Sequence, residues 1–275
     1  PATGERRKVK EIYRNGIASV ASLMPDHRMG RSSVVQVMEN GIKPVFRLRT
    51  SLGKTLRATG NHPLLTASGW KRLDELKEGD RIASPARLPI EGQERWPKHE
   101  LITLGWVLSE GNTCHPSGFY FYNKDEVARD DFLAAASAFP DTQPTVRLRP
   151  ERADTWCVYV GTGRDTRIRV GAGHSFTPRS GARLWLENLE MIGQKAPDKH
   201  FPTGVFRLDN ACLAVLLGRL WSGDGYIAGA SRNNMTPYLA SASQRLASET
   251  QHLLLRLGIV SRLTEKRFPY KDGRI

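Results

Sequence analysis

Two carboxylates occupy places that suit a carboxylate poorly. "TLGWVLSEG" ends at Glu110-Gly111 and "LGRLWSGDG" ends at Asp224-Gly225. Both stretches read as apolar helices with an acid in the last turn and a glycine suited to the left-handed position beyond it. Aligned peptide dipoles already place partial negative charge at that end of a helix. Two such ends brought together repel, unless a divalent cation sits between them, and hard carboxylate oxygens facing a phosphate suit Mg²⁺. Paired ions at a phosphodiester can activate water and stabilise the leaving oxygen. The plainer alternative is that each acid-glycine pair is an ordinary helix stop.

A second candidate is "TGNHPLLT", Thr59 to Thr66, where His62 precedes Pro63 and is pushed towards extended backbone. A histidine fixed in a polar turn could give up a proton, yet no activated nucleophile is near it in sequence.

Several elements must position these groups. Gly105 with Ser109, and Gly218 with Ser222, put small residues four apart on one helix face. That predicts a close crossing of the two acid-bearing helices, with Arg219 standing where a neighbour should be small. "TVRLR" (Arg147, Arg149) and "TRIRV" (Arg167, Arg169) alternate charge with aliphatics. One face of such a sheet is apolar and the other a row of guanidinium groups able to meet phosphates and base edges in the major groove. A solvated sheet face is the alternative, and the lack of acids on these strands counts against it.

Residues 1 to about 90 read as short strands and turns ("GIASVASLM", "SSVVQVM", "PVFRLRT", "KTLRAT"), with Asn40-Gly41 and "SLGK" as turn chemistry. Proline then accumulates at Pro85, Pro89 and Pro97 as in a linker. From about Trp96 helices alternate with strands, and an apolar helix, a strand-rich section and an amphipathic helix occur twice, which hints at internal duplication. The 275-residue chain carries 41 Lys and Arg against 28 acids, a formal +13. Such a surplus points to a polyanion partner, usually nucleic acid. Three cysteines with no C-x-x-C pair predict neither a disulfide framework nor a zinc site. The most apolar run, "ACLAVLLG", is too short to span a bilayer, and no targeting segment is visible, so a soluble, cytoplasmic monomer is expected.

Five blocks in order carry a family resemblance. "TLGWVLSEG" and "LGRLWSGDG" resemble the two signature helices of LAGLIDADG (DOD-type) homing endonucleases. "GQKAPDKHFP" and "HLLLRLGI" resemble the blocks that lie between and after those helices in inteins, and "TGNHPLLT" resembles the T-x-x-H block of the Hint splicing domain. The resemblance implies a mixed fold: an all-β Hint domain over 1–93, then an α+β endonuclease over 94–275 with pseudo-two-fold αββαββα repeats, about 96–203 and 204–275. It implies a Mg²⁺-dependent enzyme cutting double-stranded DNA at the allele of its host gene that lacks the intein, with Glu110 and Asp224 holding the metal. Lys199 resembles the block lysine beside that centre, with Lys195 a second candidate. His62 would protonate the peptide nitrogen at the upstream splice junction, and Thr59 would polarise that bond, so that flanking extein segments are also partners. Against the family pattern the chain starts about ten residues inside an intein, lacks the terminal His-Asn pair and holds an incomplete second repeat, so that it should not splice as written. A DNA-binding passenger that has lost cleavage, within a self-splicing intein, is the alternative.

Overall fold

The computed structural model describes residues 3–4, 7–163, 168–171, 174–176, 178–229 and 235–266. The chain forms two compact units, one of Pro1–Ala2, Arg6–Ile90 and Gln251–Ile275, the other of Thr3–Glu5 and Glu91–Thr250.

In the first unit, helix α1 (Val9–Asn15) precedes three antiparallel hairpins: β1 (Ser19–Leu23) with β2 (Met29–Ser33), β3 (Val45–Arg49) with β4 (Thr55–Thr59), and β5 (Pro63–Thr66) with β6 (Gly69–Arg72). The all-β domain expected over 1–93 is therefore corrected to separate two-stranded sheets with a helix. A barrel needs a ladder running from hairpin to hairpin, and among the described residues each of these strands forms a sheet only with its own neighbour in sequence. "SSVVQVM" also falls short of expectation: β2 stops at Ser33, and Val35 is 97% exposed. Among the described residues no strand pairs with the segment from Val35 to Met38, and β-propensity without a partner does not hold a strand. The turn joining β3 to β4 follows its glycine: Gly53 has φ +79° and its N–H donates to the Thr50 carbonyl at 2.9 Å.

The second unit opens with α2 (Lys98–Glu110), followed by β7 (Gly111–Asn112), β8 (Phe119–Asn123), α3 (Glu126–Ser137), β9 (Gln143–Arg149), β10 (Thr155–Gly161), β11 (Ile168–Val170), β12 (His174–Phe176) and α4 (Gly181–Asn188). A second run follows: α5 (Asn210–Asp224), β13 (Gly225–Ala228), β14 (Thr236–Leu239) and α6 (Gln244–Arg256), whose residues from Gln251 group with the first unit. The expected helix–strand–strand–helix order occurs in both halves. Strand pairing repeats too. Gly111 pairs Phe121 and Asn112 pairs Tyr120 after the first acid, while Gly225 pairs Leu239 and Tyr226 pairs Tyr238 after the second.

Local sequence explains the main elements. Asp125 caps α3 by accepting from the Val127 N–H at 2.7 Å, and Asp209 caps α5 by accepting from the Cys212 N–H at 2.7 Å. Helix α2 is apolar on all sides and is buried from Leu101 to Leu108, as a central helix must be. The first sheet has the order β7-β8-β10-β9. Strict alternation sends Phe119, Phe121, Val158 and Val160 into the core, each fully buried, with Phe121 stacked on Phe132 of α3 at 4.4 Å between ring centres.

Behind this sheet α4 contributes Arg183, which is 5% exposed. Its guanidinium donates to the carbonyls of His115 and Gly118 at 2.5 and 2.7 Å and pairs with Glu187 at 3.0 Å. Loss of that donor would leave two carbonyls without it in a dry site, so Arg183→Met is expected to cost about 2–4 kcal/mol, read by urea unfolding.

Candidate active site

Helix α2 packs against α5, and the residues at the crossing decide where the two acids lie. A Cβ added to Gly105 would lie 2.6 Å from the Arg219 Cβ and 2.7 Å from the Leu216 carbonyl oxygen. One added to Gly223 would lie 2.3 Å from the Ser109 Oγ and 3.3 Å from the Glu110 Cγ. Gly105 and Ser109 therefore sit in the crossing, as their spacing predicts. Gly218 and Ser222 do not: both are exposed, nothing lies within 4 Å of a Cβ placed on Gly218, and the Ser222 Oγ donates to its carbonyl. The α5 glycine in the contact is Gly223. A helix presents a different face one and a half turns on, and the spacing matched the wrong one of two glycines.

Arg219 is accommodated because Gly105 has no side chain. Its guanidinium leaves the crossing and holds Asp131 of α3 through two bonds of 3.0 and 3.1 Å, while the Trp106 indole donates to the same carboxylate at 2.7 Å. Burial pushes the Asp131 carboxyl upward, but the bonds from Arg219 and Trp106 outweigh it and hold it below the usual carboxylate range. A depressed folded pKa gives stability that is present above the unfolded value and is lost as pH falls through the folded one. Asp131→Asn is thus expected to cost about 1–2 kcal/mol at neutral pH and to flatten the acid limb of stability against pH, measured by urea titration at each pH.

Both acids end their helices with no intervening loop: α2 stops at Glu110 and β7 starts at Gly111, and α5 stops at Asp224 and β13 starts at Gly225. The glycines do not take the expected left-handed conformation. Gly111 has φ −82° and Gly225 −93°, both extended. Their role is steric. A Cβ on Gly111 would lie 2.6 Å from the Val107 Cα, and one on Gly225 would lie 2.3 Å from the Trp221 carbonyl oxygen, so the chain turns from helix to strand more tightly than a side chain allows.

Glu110 and Asp224 are half-buried. Neither carboxylate has a salt-bridge partner among the described residues. Burial raises the Glu110 carboxyl above its ordinary range and the Asp224 charge raises it further, against a pull from Lys199; Asp224 is raised by burial against the same lysine. Lys199 is 8% exposed and donates to the carbonyls of Val107 and Ser109, both at 3.0 Å. It therefore sits on the negative end of the α2 dipole. Burial pulls its ammonium below the usual lysine range, while the Asp224 and Glu110 charges oppose that. Lys195, the other candidate, is exposed. Two crowded carboxylates, with no salt bridge among the described residues, offer oxygens to a hard cation. No group of three or more His, Cys, Asp or Glu side chains that could hold a metal exists among the described residues.

The sheet face opposite the core carries more than the two expected arginines. Arg147 is exposed, and Arg149 is half-buried with an ion pair to Glu151 at 3.4 Å, so it has an acidic partner from the following turn. Alternation also places Tyr120, Tyr122 and Tyr159 there. Tyr120 and Tyr122 stack at 5.8 Å, and the His115 ring meets both Tyr120 and Tyr159 at 5.4 Å. In the second half Tyr226 and Tyr238 stack at 5.2 Å, 50% and 41% exposed. "FYFYN" held this signal at period two. Arg167 lies outside the described residues, as does the Arg169 side chain, although its backbone pairs with Ser175 in β11–β12.

In the first unit the T-x-x-H segment is a tight turn between β4 and β5. The His62 N–H donates to the Thr59 carbonyl at 3.0 Å, and the Thr59 hydroxyl donates to the Asn61 Oδ1 at 2.7 Å. The His62 side chain is exposed. Among the described residues no helix is long and apolar enough to cross a membrane.

The chain is 32% identical over 267 residues to the replicative DNA helicase DnaB of Rhodothermus marinus, covering 95% of this chain and 27% of that protein. It is 32% identical over 270 residues to DnaB of Synechocystis, covering 96% and 30%. It is 26% identical over 287 residues to protein RecA of Mycobacterium tuberculosis, covering 100% and 34%. The chain thus spans about a third or less of each of these three relatives. Residues 211–275, which include most of α5, Asp224 and α6, match the family described as a LAGLIDADG-like domain.

Proposed function

We propose that the chain is the site-specific DNA endonuclease part of an intein, joined to a splicing-type segment over about 1–93. The observation that carries the nuclease reading is the convergence of two half-buried helix-end carboxylates beside Lys199 in a duplicated scaffold. The LAGLIDADG-like match over 211–275 supports it. The recurrence of most of this chain inside two differently named proteins supports an element inserted into more than one host protein.

Glu110 and Asp224 would hold Mg²⁺. When bound, the metal supplies an activated water and charge stabilisation at the phosphodiester. Lys199 keeps the end of α2 electrostatically tolerable and offers positive charge to the reacting phosphate. Arg147, Arg149 and the tyrosines would grip double-stranded DNA, with Arg167 and Arg169 continuing the basic strands. In the longer host polypeptide, His62 and Thr59 would serve the first acyl shift of splicing, with the extein segments as substrate.

The test is cleavage of a duplex spanning the host allele without this coding segment, in the presence of Mg²⁺. A linear double-strand product is expected. Binding with no cut by the parent protein would leave only a DNA-binding passenger. Arg147→Gln is expected to weaken binding to all duplexes alike and to lower the slope of log affinity against log salt by about one, measured by fluorescence anisotropy.

A further inference from the structure

Lys199 sits on a short segment with little structure of its own, a 3₁₀ turn over Ala196–Asp198 followed by extended chain. A buried ammonium on such a segment needs its backbone fixed from elsewhere, since one wrong rotation of Lys199 would bury the charge away from the carbonyls that receive it. That fixing comes from the start of α6. The Ser243 hydroxyl, wholly buried, donates to the Lys199 carbonyl at 2.7 Å and accepts from the Leu246 N–H at 3.1 Å. It caps α6 and holds the lysine backbone with one atom. Two residues on, the Phe201 N–H donates to the Glu249 carboxylate at 3.0 Å. Glu249 is 3% exposed, and its other oxygen accepts from Arg245 at 2.9 Å. Phe201 itself is fully buried.

We infer that Ser243 and Glu249 are positioning residues for Lys199, holding the chain on both sides so that its ammonium reaches the end of α2 beside Glu110 and Asp224. They act through the lysine. The role in catalysis rests on the nuclease reading; the positioning of the lysine does not.

Because of that difference, two readouts separate the ideas. The full chain is treated with a water-soluble amine-acetylating reagent, and the rate at each lysine is read by mass spectrometry. Ser243→Ala and Glu249→Ala are expected to raise acetylation of Lys199 about tenfold, while exposed lysines such as Lys195 are unchanged. Ser243→Thr and Glu249→Gln keep the hydroxyl and the acceptor and should restore protection. Ser243→Gly is the variant least harmful to folding, because glycine is tolerated at a helix start, yet it removes the hydroxyl and should expose Lys199 too. The same variants are then assayed on the host-allele duplex with Mg²⁺, where kcat should fall about tenfold at unchanged KM and recover in the Thr and Gln variants. Lys199 staying as protected as in the parent protein in the alanine and glycine variants would overturn the inference. Exposure of Lys199 in a protein whose parent never cuts DNA would keep the positioning role and discard the nuclease.

Discussion

Glu110→Gln and Asp224→Asn are each expected to reduce DNA cleavage by at least about a hundredfold while leaving duplex binding within a fewfold, and each is expected to make the protein more stable. The two effects share one cause. Each carboxylate is half-buried, sits on the negative end of a helix and lacks a salt-bridge partner among the described residues. Burial raises both, and the Asp224 charge adds to this at Glu110. A raised folded pKa means that the native state binds the proton more tightly than the unfolded chain does. The charged form therefore works against folding at pH above that raised value, and the penalty fades as pH falls through it towards the ordinary carboxylate value. The amides keep the shape and remove the charge, so thermal stability should rise at neutral pH and its dependence on pH in that window should flatten. Differential scanning calorimetry across pH, run beside the cleavage assay, checks both halves. A loss of stability in the amides would mean that the carboxylates are structural and that the cation-binding reading is wrong.

The second large effect concerns glycines. Gly105→Ala is expected to cost about 2–3 kcal/mol, because the added methyl meets the Leu216 carbonyl oxygen at 2.7 Å, a backbone atom that cannot step aside. Gly223→Ala presses on Ser109, next in sequence to Glu110, and is expected to lower cleavage by more than tenfold through misplacement of that acid. Gly218→Ala supplies the contrast. It has open space around it in the same helix, so replacing glycine by a better helix former should stabilise by about 0.5–1 kcal/mol with cleavage unchanged. Chemical denaturation and cleavage of the three variants together test the crossing. Equal effects at Gly218 and Gly223 would refute it.

What could be read from sequence depended on how local the cause was. The helix over 98–110, its proline start and its acid end follow from neighbours in the chain, and so do the alternating strands. The choice between Gly218 and Gly223 does not, because both lie within one turn and a half, and only the partner helix distinguishes them. Arg219 reads as an obstacle in sequence for the same reason: its remedy is Asp131, 88 positions away, together with the empty place at Gly105. The glycines after the acids were right in type and wrong in reason, since a tight helix-to-strand exit and a left-handed stop both call for glycine. In the first unit, strand segments were legible but their assembly was not, because pairing between hairpins is set by long-range contacts.

The direct passage from helix to strand after each acid leaves no spare residue at either joint. Side chains further along, such as Tyr120, Tyr122 or Tyr238, can be exchanged and the surface they form will change while the carboxylates stay where they are. One residue inserted after Glu110 or Asp224 is another matter: it would shift the register in which β7 meets β8 and β13 meets β14, and so the position of the acid that precedes it. Drift in what is gripped and constancy in where the acids point are thus separated by a single peptide bond.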